Sequence, residues 1–335
     1  MPDNNQYAYI VGRLRALETK MLDSNLLERL LDAKSAKEAF RVLNDAPLVA
    51  GSIGDYEVND FNKVFVSALG RMKKLILEMA PCPAHMDFLW LKYDYHNLKV
   101  ILKAQLTGRG YADVEHALIE FGTVSMEDWQ AYLLEGKKIK LTPELGKTIA
   151  DVKAAYAADP NPQVIDMGVD QHYLDSLRLL TASIKSPMLS DYLSRLIDFA
   201  NLKTFVRSKE LKKKSSYMES LILSGGFIAP DVFISSFDKS YNELYQILEK
   251  KMFADPIAKA LSDFIESKTL IAFERRVYAL QQDFLSDSIK IALGPEPVFA
   301  FFLRFETHLH IMRAVLIGKL NRLPLEDIRR TILAL

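Results

Sequence analysis

The chain has 335 residues, 49% of them hydrophobic, and carries 43 basic against 43 acidic side chains. That apolar content supports a large core and the length allows two or three domains, while the even charge balance disfavours a nucleic-acid binder. The single Cys82 excludes an internal disulfide and a cysteine-based zinc site, and it fits a reducing compartment.

From the N-terminus, residues 1–8 are polar, and no basic segment precedes an apolar one, so no secretory signal is expected. Asp23-Ser24-Asn25 caps a helix starting at Leu26, and Ser35-x-x-Glu38 forms a capping box. Breaks follow at residues 46–54 and at Pro81-Cys82-Pro83. In the next block Leu98, Ile101, Leu102 and Leu106 make one apolar helical stripe. Lys99 and Lys103 lie off that stripe, as for a solvated edge. After Thr107-Gly108-Arg109-Gly110, Ser125-x-x-Asp128 resembles another capping box. Residues 137–170, with Asn161-Pro162, are expected to be the loosest region. A second stripe runs through Leu202, Phe205 and Val206. Gly225-Gly226 stops a helix, residues 294–297 form the last break, and Leu309, Met312 and Leu316 carry a third stripe. Strand-like alternation is confined to short stretches such as residues 233–236. The longest apolar run, residues 298–303, is far short of the roughly 18–20 residues that span a bilayer. The expected fold class is all-α and the expected chain is soluble, reaching a membrane only through a partner.

These blocks repeat. Asp94-Tyr95-His96-Asn97-Leu98-Lys99 returns as Asp198-Phe199-Ala200-Asn201-Leu202-Lys203, an offset of 104 residues. Gly122, Val124 and Trp129 return as Gly226, Ile228 and Phe233 at the same offset, so the spacer is held too. Leu22, Leu27 and Leu31 supply a third copy of the short-helix block, and Glu38, Phe40 and Leu43 match Glu243, Tyr245 and Leu248. A weaker third copy of the long block spans residues 306–319, with Arg313 lying 110 positions after Lys203 and the Asp-x-x-Asn part lost. A long period with held spacing predicts three similar helical units, 1–108, 109–211 and 212–335, in a quasi-symmetric plan. Such a plan suits a part seated on an axis better than an enzyme cleft.

No catalytic constellation emerges. His308 and His310 are two apart on a predicted helix and project from different faces, and His96 and His172 stand alone near tyrosines. Gly225-Gly226 lacks the rest of a P-loop or dinucleotide fingerprint, and neither Gly-x-Ser-x-Gly nor His-Glu-x-x-His occurs. No cofactor or nucleotide site is expected. The Asp-x-x-Asn-Leu-Lys motif has two readings. Asp94 and Asn97 share a helix face, as do Asp198 and Asn201, so they either hydrogen-bond a neighbouring loop within their unit or line a central opening between units. Lys209, Lys212, Lys213 and Lys214 form either a solvated face or a contact with an acidic partner or anionic headgroups.

The two Asp-x-x-Asn-Leu-Lys copies, the Gly-x-hydrophobic spacing after each, and the run from Arg313 to Lys319 followed by Leu320-Asn321-Arg322-Leu323-Pro324 resemble one family. It is the C subunit of archaeal and bacterial V/A-type rotary ATPases, similar to the vacuolar d subunit. Arg13, Arg15 and Glu18 near the N-terminus also fit, and the resemblance covers essentially the whole chain. The third unit departs from the pattern, with residues 308–312 where an Asn-containing segment is expected. The resemblance implies a funnel-shaped, all-helical molecule of three similar units around a pseudo-threefold axis. It implies a non-catalytic central-stalk part that caps the membrane rotor ring on its cytoplasmic side. Its opening would receive the central shaft made by the D and F subunits, and it would pass torque for proton or sodium transport. The candidate axial or interface residues are Asp94, Asn97, Lys99, Asp198, Asn201, Lys203 and Arg313. The alternatives are a helical-repeat adaptor unrelated to rotary motors and a helical enzyme with a site between units.

Overall fold

The computed structural model of the chain describes residues 4–135, 141–251 and 253–332. Among them every regular element is an α-helix or a short 3-10 turn, so the fold class is all-α, as the periodicity predicts. The chain divides into two compact units. The first takes residues 1–83, 198–222 and 227–335, and the second takes residues 84–197 and 223–226.

In chain order the first unit opens with α1 (Ala8–Glu18), α2 (Ser24–Asp32), α3 (Ala36–Val42), α4 (Pro47–Ala50) and α5 (Phe61–Met79). The second unit contains α6 (Asp87–Thr107), α7 (Tyr111–Val114), α8 (Met126–Glu135), α9 (Pro143–Ala158) and α10 (Pro162–Ile184). Helix α11 (Pro187–Glu210) belongs to the second unit up to Ile197 and to the first from Asp198. The first unit then continues with α12 (Ser215–Glu219), α13 (Pro230–Ile234), α14 (Tyr241–Glu249), α15 (Asp255–Ser267), α16 (Leu270–Asp287), α17 (Glu296–Leu320) and α18 (Leu325–Ile332).

Local chemistry sets the helix ends. The Asp23 carboxylate accepts from the Leu26 amide at 2.7 Å, Ser35 Oγ from Glu38 at 3.2 Å, and Ser125 Oγ from Asp128 at 3.1 Å. Each supplies an acceptor that the first helical turn lacks. The alternation at residues 233–236 does not make a strand, because Pro230 opens helix α13 there. Residues 137–140 of the stretch expected to be loosest lie outside the described residues. The rest of that stretch is mostly helix: α9 and the start of α10, with Asn161 capping α10 through a 3.0 Å bond from the Gln163 amide. The Asn-Pro pair there starts a helix rather than marking a long loop.

One core cluster of the first unit surrounds Phe205, Phe233, Leu244, Leu261 and Phe273, all fully buried. A second run of buried aromatics, Phe299, Phe301, Phe302 and Phe305, lines α17, which packs on α1, α2, α3 and α5. Gly318 lets α18 approach α17, since a Cβ there would stand 2.5 Å from Ile328 Cγ1. In the second unit α10 packs along both α6 and α9, and Trp90, Leu98, Ile101 and Trp129 are buried.

The long helices α6, α11 and α17 end alike. Gly108, Lys212 and Arg322 take left-handed conformations with φ of 69°, 52° and 54°. They stand at the offsets of 104 and 110 residues read in the sequence. In each, the next amide folds back five residues: Arg109 to the Ala104 carbonyl, Lys213 to Ser208 and Leu323 to Gly318, all at 2.9 Å. This closes the helix by satisfying a carbonyl that would otherwise be orphaned. Glycine adopts that conformation freely, whereas Lys212 and Arg322 carry a cost of roughly 1–2 kcal/mol each.

Candidate functional site

The Asp-x-x-Asn motif sits in the buried middle of α6 and recurs in α11 at the boundary of the first unit. Asp94, Asn97, Asp198 and Asn201 are each at most 1% exposed. Asp94 Oδ2 accepts from the Thr123 amide at 2.8 Å and its hydroxyl at 2.7 Å, while Oδ1 accepts from the Val124 amide at 3.1 Å. Asp198 repeats the pattern, accepting from the Phe227 amide at 3.0 Å and the Ile228 amide at 3.1 Å. The loop residues bound are themselves 104 positions apart. Each carboxylate thus fixes the loop that enters the following short helix. Charge-assisted bonds from two successive amides offset the cost of burying the ion. Asn97 adds a two-way bond, donating to the Ile119 carbonyl at 2.7 Å and accepting from its amide at 2.8 Å. Gly122 is required beside this lock, because a Cβ there would lie 2.0 Å from Asp94 Oδ1.

The helical stripe predicts a solvated edge for Lys99 and Lys103. Instead Lys99 pairs with Asp170 at 2.6 Å and Lys103 with Asp166 at 2.7 Å, tying α6 to α10. The partners are far away in sequence, so a single helix pattern could not show them. At the matching place in α11, Arg207 pairs with Glu274 of α16. Burial pushes the neighbouring Lys203 ammonium below its ordinary lysine value, Arg207 lowers it further, and Glu274 opposes the shift. Arg313, at the corresponding place in α17, is exposed and lines a groove with Ile317, Leu323 and Ile328.

Two lysines have roles that the sequence pattern does not show. Lys209, which belongs to the basic run, donates to the Phe237 and Lys239 carbonyls instead of facing solvent or a partner. Lys319 donates to the Leu31 and Ala33 carbonyls, the latter at 2.7 Å. The lysines are 110 positions apart and both pairs of carbonyls close a short helical block, so the clamp keeps the repeat spacing. The equivalent second-unit position is Gln105, whose Oε1 is buried with no hydrogen-bond partner.

His308 stands where the other long helices carry Asp94 and Asp198. Its Nδ1 is buried without a partner, and burial lowers its pKa to about 4, with Arg304 adding to the shift. His96 Nε2 meets the Ala117 carbonyl at 2.9 Å, and His172 lies 3.3 Å from Asp151. Among the described residues no three His, Cys, Asp or Glu side chains converge on a metal position. No helix among them is long and apolar enough to cross a membrane.

This arrangement is chemistry for holding helices and loops. The family described as ATP synthase (C/AC39) subunit matches residues 10–331. The C subunit of the V-type sodium ATPase of Enterococcus hirae is 24% identical over 328 residues, covering 97% of each chain. The C subunit of the A-type ATP synthase of Methanocaldococcus jannaschii is 22% identical, over 98% of this chain and 86% of that one. The C subunit of the V-type ATP synthase of Deinococcus radiodurans is 24% identical, over 100% of this chain and 92% of that one. With the family match spanning nearly its whole length, the chain belongs to the ATP synthase C/AC39 family.

Proposed function

We propose that the chain is a non-catalytic central-stalk subunit of a V/A-type rotary ATPase, working peripherally on the cytoplasmic face of the membrane. In this reading it joins the membrane rotor ring to the shaft of D and F subunits and transmits torque between them. The observation that carries it is the family match over residues 10–331, together with named relatives that are the C subunits of such machines. The interactions within each unit suit the same role. Buried carboxylates, clamped carbonyls and close-packed aromatics resist the shear that a torque-bearing part must withstand.

The three repeat units, 1–108, 109–211 and 212–335, are part of this proposal, as is their arrangement as a funnel around a pseudo-threefold axis. Asp94, Asn97, Asp198 and Asn201 are proposed to act near that axis indirectly. Being buried, they shape the loops after the long helices, and those loops or the exposed Arg313 meet the partners. Lys99 acts in the same indirect way, through its pair with Asp170, which ties α6 to α10, and Lys203 is proposed to stand near the axis on α11.

The test is affinity purification of the tagged chain from detergent-solubilised membranes of its host. The expected result is recovery of ring and shaft subunits in fixed ratio. Recovery of soluble partners alone would replace this reading with that of a helical adaptor.

A further inference from the structure

The corner after α11 is built differently from its two counterparts. At the ends of α6 and α17 the residue before the left-handed position is polar, Thr107 and Asn321. At α11 it is Leu211, with 68% of its surface exposed. The close of the helix therefore does not call for an apolar side chain there, and the core gains nothing from it. Three consecutive exposed lysines follow, Lys212, Lys213 and Lys214, where the first copy has Gly108-Arg109-Gly110. Lys212 holds the left-handed φ of 52° that Gly108 holds at the first copy and Arg322 at the third, so the cation at that position is shared with α17 and the difference lies in Leu211 and the run of lysines. Tyr217 completes the corner, 37% exposed, with the Lys213 ammonium 5.3 Å above its ring. The nearest acid in sequence, Glu210, accepts from the Tyr241 hydroxyl at 2.8 Å, and all three lysines are exposed.

We propose that this corner docks on an anionic lipid surface. Leu211 enters the headgroup boundary, Tyr217 sits at the interface with its hydroxyl outward, and Lys212–Lys214 bind lipid phosphates. A lone exposed leucine flanked by cations and an aromatic is the composition that headgroup layers attract, and each lysine adds to the binding. An acidic protein surface would match the lysines but gives Leu211 no part. The whole chain carries no net charge, so attraction to anionic vesicles must come from a local patch. The inference rests on the proposed function for one thing, that the chain works beside a membrane.

The experiment is sedimentation of the isolated full chain with phosphatidylcholine vesicles, with and without phosphatidylglycerol, over a range of salt. Wild type is expected to pellet only with the anionic vesicles and to be released as salt rises. The triple variant Lys212→Gln, Lys213→Gln, Lys214→Gln should lose up to about a hundredfold in partitioning at low salt, from about fivefold per lysine. Leu211→Ser should lose severalfold while keeping the salt dependence. Circular dichroism of each variant checks that the fold is kept, which these exposed positions favour. Equal binding of the triple variant, or no binding of wild type to anionic vesicles at low salt, overturns the proposal. If vesicle binding is absent and the triple variant drops out of the purified complex, the corner meets an acidic protein surface, and the lipid assignment is overturned. If vesicle binding is absent while ring and shaft subunits still co-purify, the corner is no membrane contact and the rotary reading stands.

Discussion

The Asp94 lock gives a prediction with a magnitude. Asp94→Ala removes the acceptor for the Thr123 amide and hydroxyl and for the Val124 amide. Thr123 is exposed and water can replace part of its loss, whereas Val124 is buried and its amide is left unsatisfied. Bonds to a charged acceptor contribute about 1.5–3 kcal/mol each, so the variant should cost about 3 kcal/mol. Gly122→Ala should cost about 2–3 kcal/mol for a different reason, since its Cβ would overlap the carboxylate, at 2.0 Å from Oδ1 and 2.7 Å from Cγ. The two penalties share one cause. Once the carboxylate is gone the alanine methyl has room, apart from a 3.3 Å approach to the Asp94 amide nitrogen. The double variant should therefore cost about 2 kcal/mol less than the sum of the singles. Urea denaturation followed by tryptophan fluorescence suits this cycle, because both tryptophans, Trp90 and Trp129, lie in the second unit with the lock. Additivity to within about 0.5 kcal/mol would refute the argued contact, and an Asp94→Ala variant as stable as wild type would refute the lock itself.

His308 predicts a pH dependence. Its folded pKa of about 4 lies below the ordinary histidine value of 6.5, so the unfolded chain takes up the proton first as pH falls. The contribution is fully present above about pH 6.5 and is lost on descending to pH 4, on the order of 3 kcal/mol in all. His308→Gln should flatten that part of the stability profile, read by circular dichroism in urea. Lys319→Met should cost about 2 kcal/mol by freeing the Leu31 and Ala33 carbonyls, and hydrogen exchange should speed up in α2 before it does in α14. Gln105→Lys should install the missing third clamp on the last carbonyls of α8 and raise the second unit's urea midpoint by the equivalent of about 1 kcal/mol; no change would show that the repeat is not equivalent there.

The helices were legible because their signals are local. Asp23, Ser35 and Ser125 cap as their spacing predicts, since a cap and its amide are three residues apart. The buried carboxylates were legible halfway. Their place in the repeat marked Asp94 and Asp198, and bonding to a loop of their own unit was one of two readings, but the partner loop begins 29 residues downstream, in the next of the three expected units and beyond any helical period. The ion pairs and clamps were not legible. Lys103 finds Asp166 across 63 positions and Lys319 finds Leu31 across 288, and an amphipathic pattern says which face is wet without saying what covers it. Lys209 shows the error this produces. A lysine in a basic run looks solvated, yet its ammonium here lies beside the rings of Phe205, Phe237 and Tyr241 and reaches the carbonyls of Phe237 and Lys239.

The packing of α17 and α18 on α1, α2 and α3 sets an order for synthesis. When residues 1–83 leave the ribosome, α2 and α3 can pack on each other, but α17 and α18, which also cover them, have not been made. At about 5–20 residues per second the stretch from Pro83 to Leu335 takes on the order of 10–50 s to translate. Until α17 is made the first helices lack that cover, while α6 to α10, once made, have their partners in the second unit. The N-terminal helices are thus made well before the cover that α17 and α18 supply. A ribosome stalled before α17 leaves a chain whose beginning, not its end, is the part that chaperones and proteases recognise.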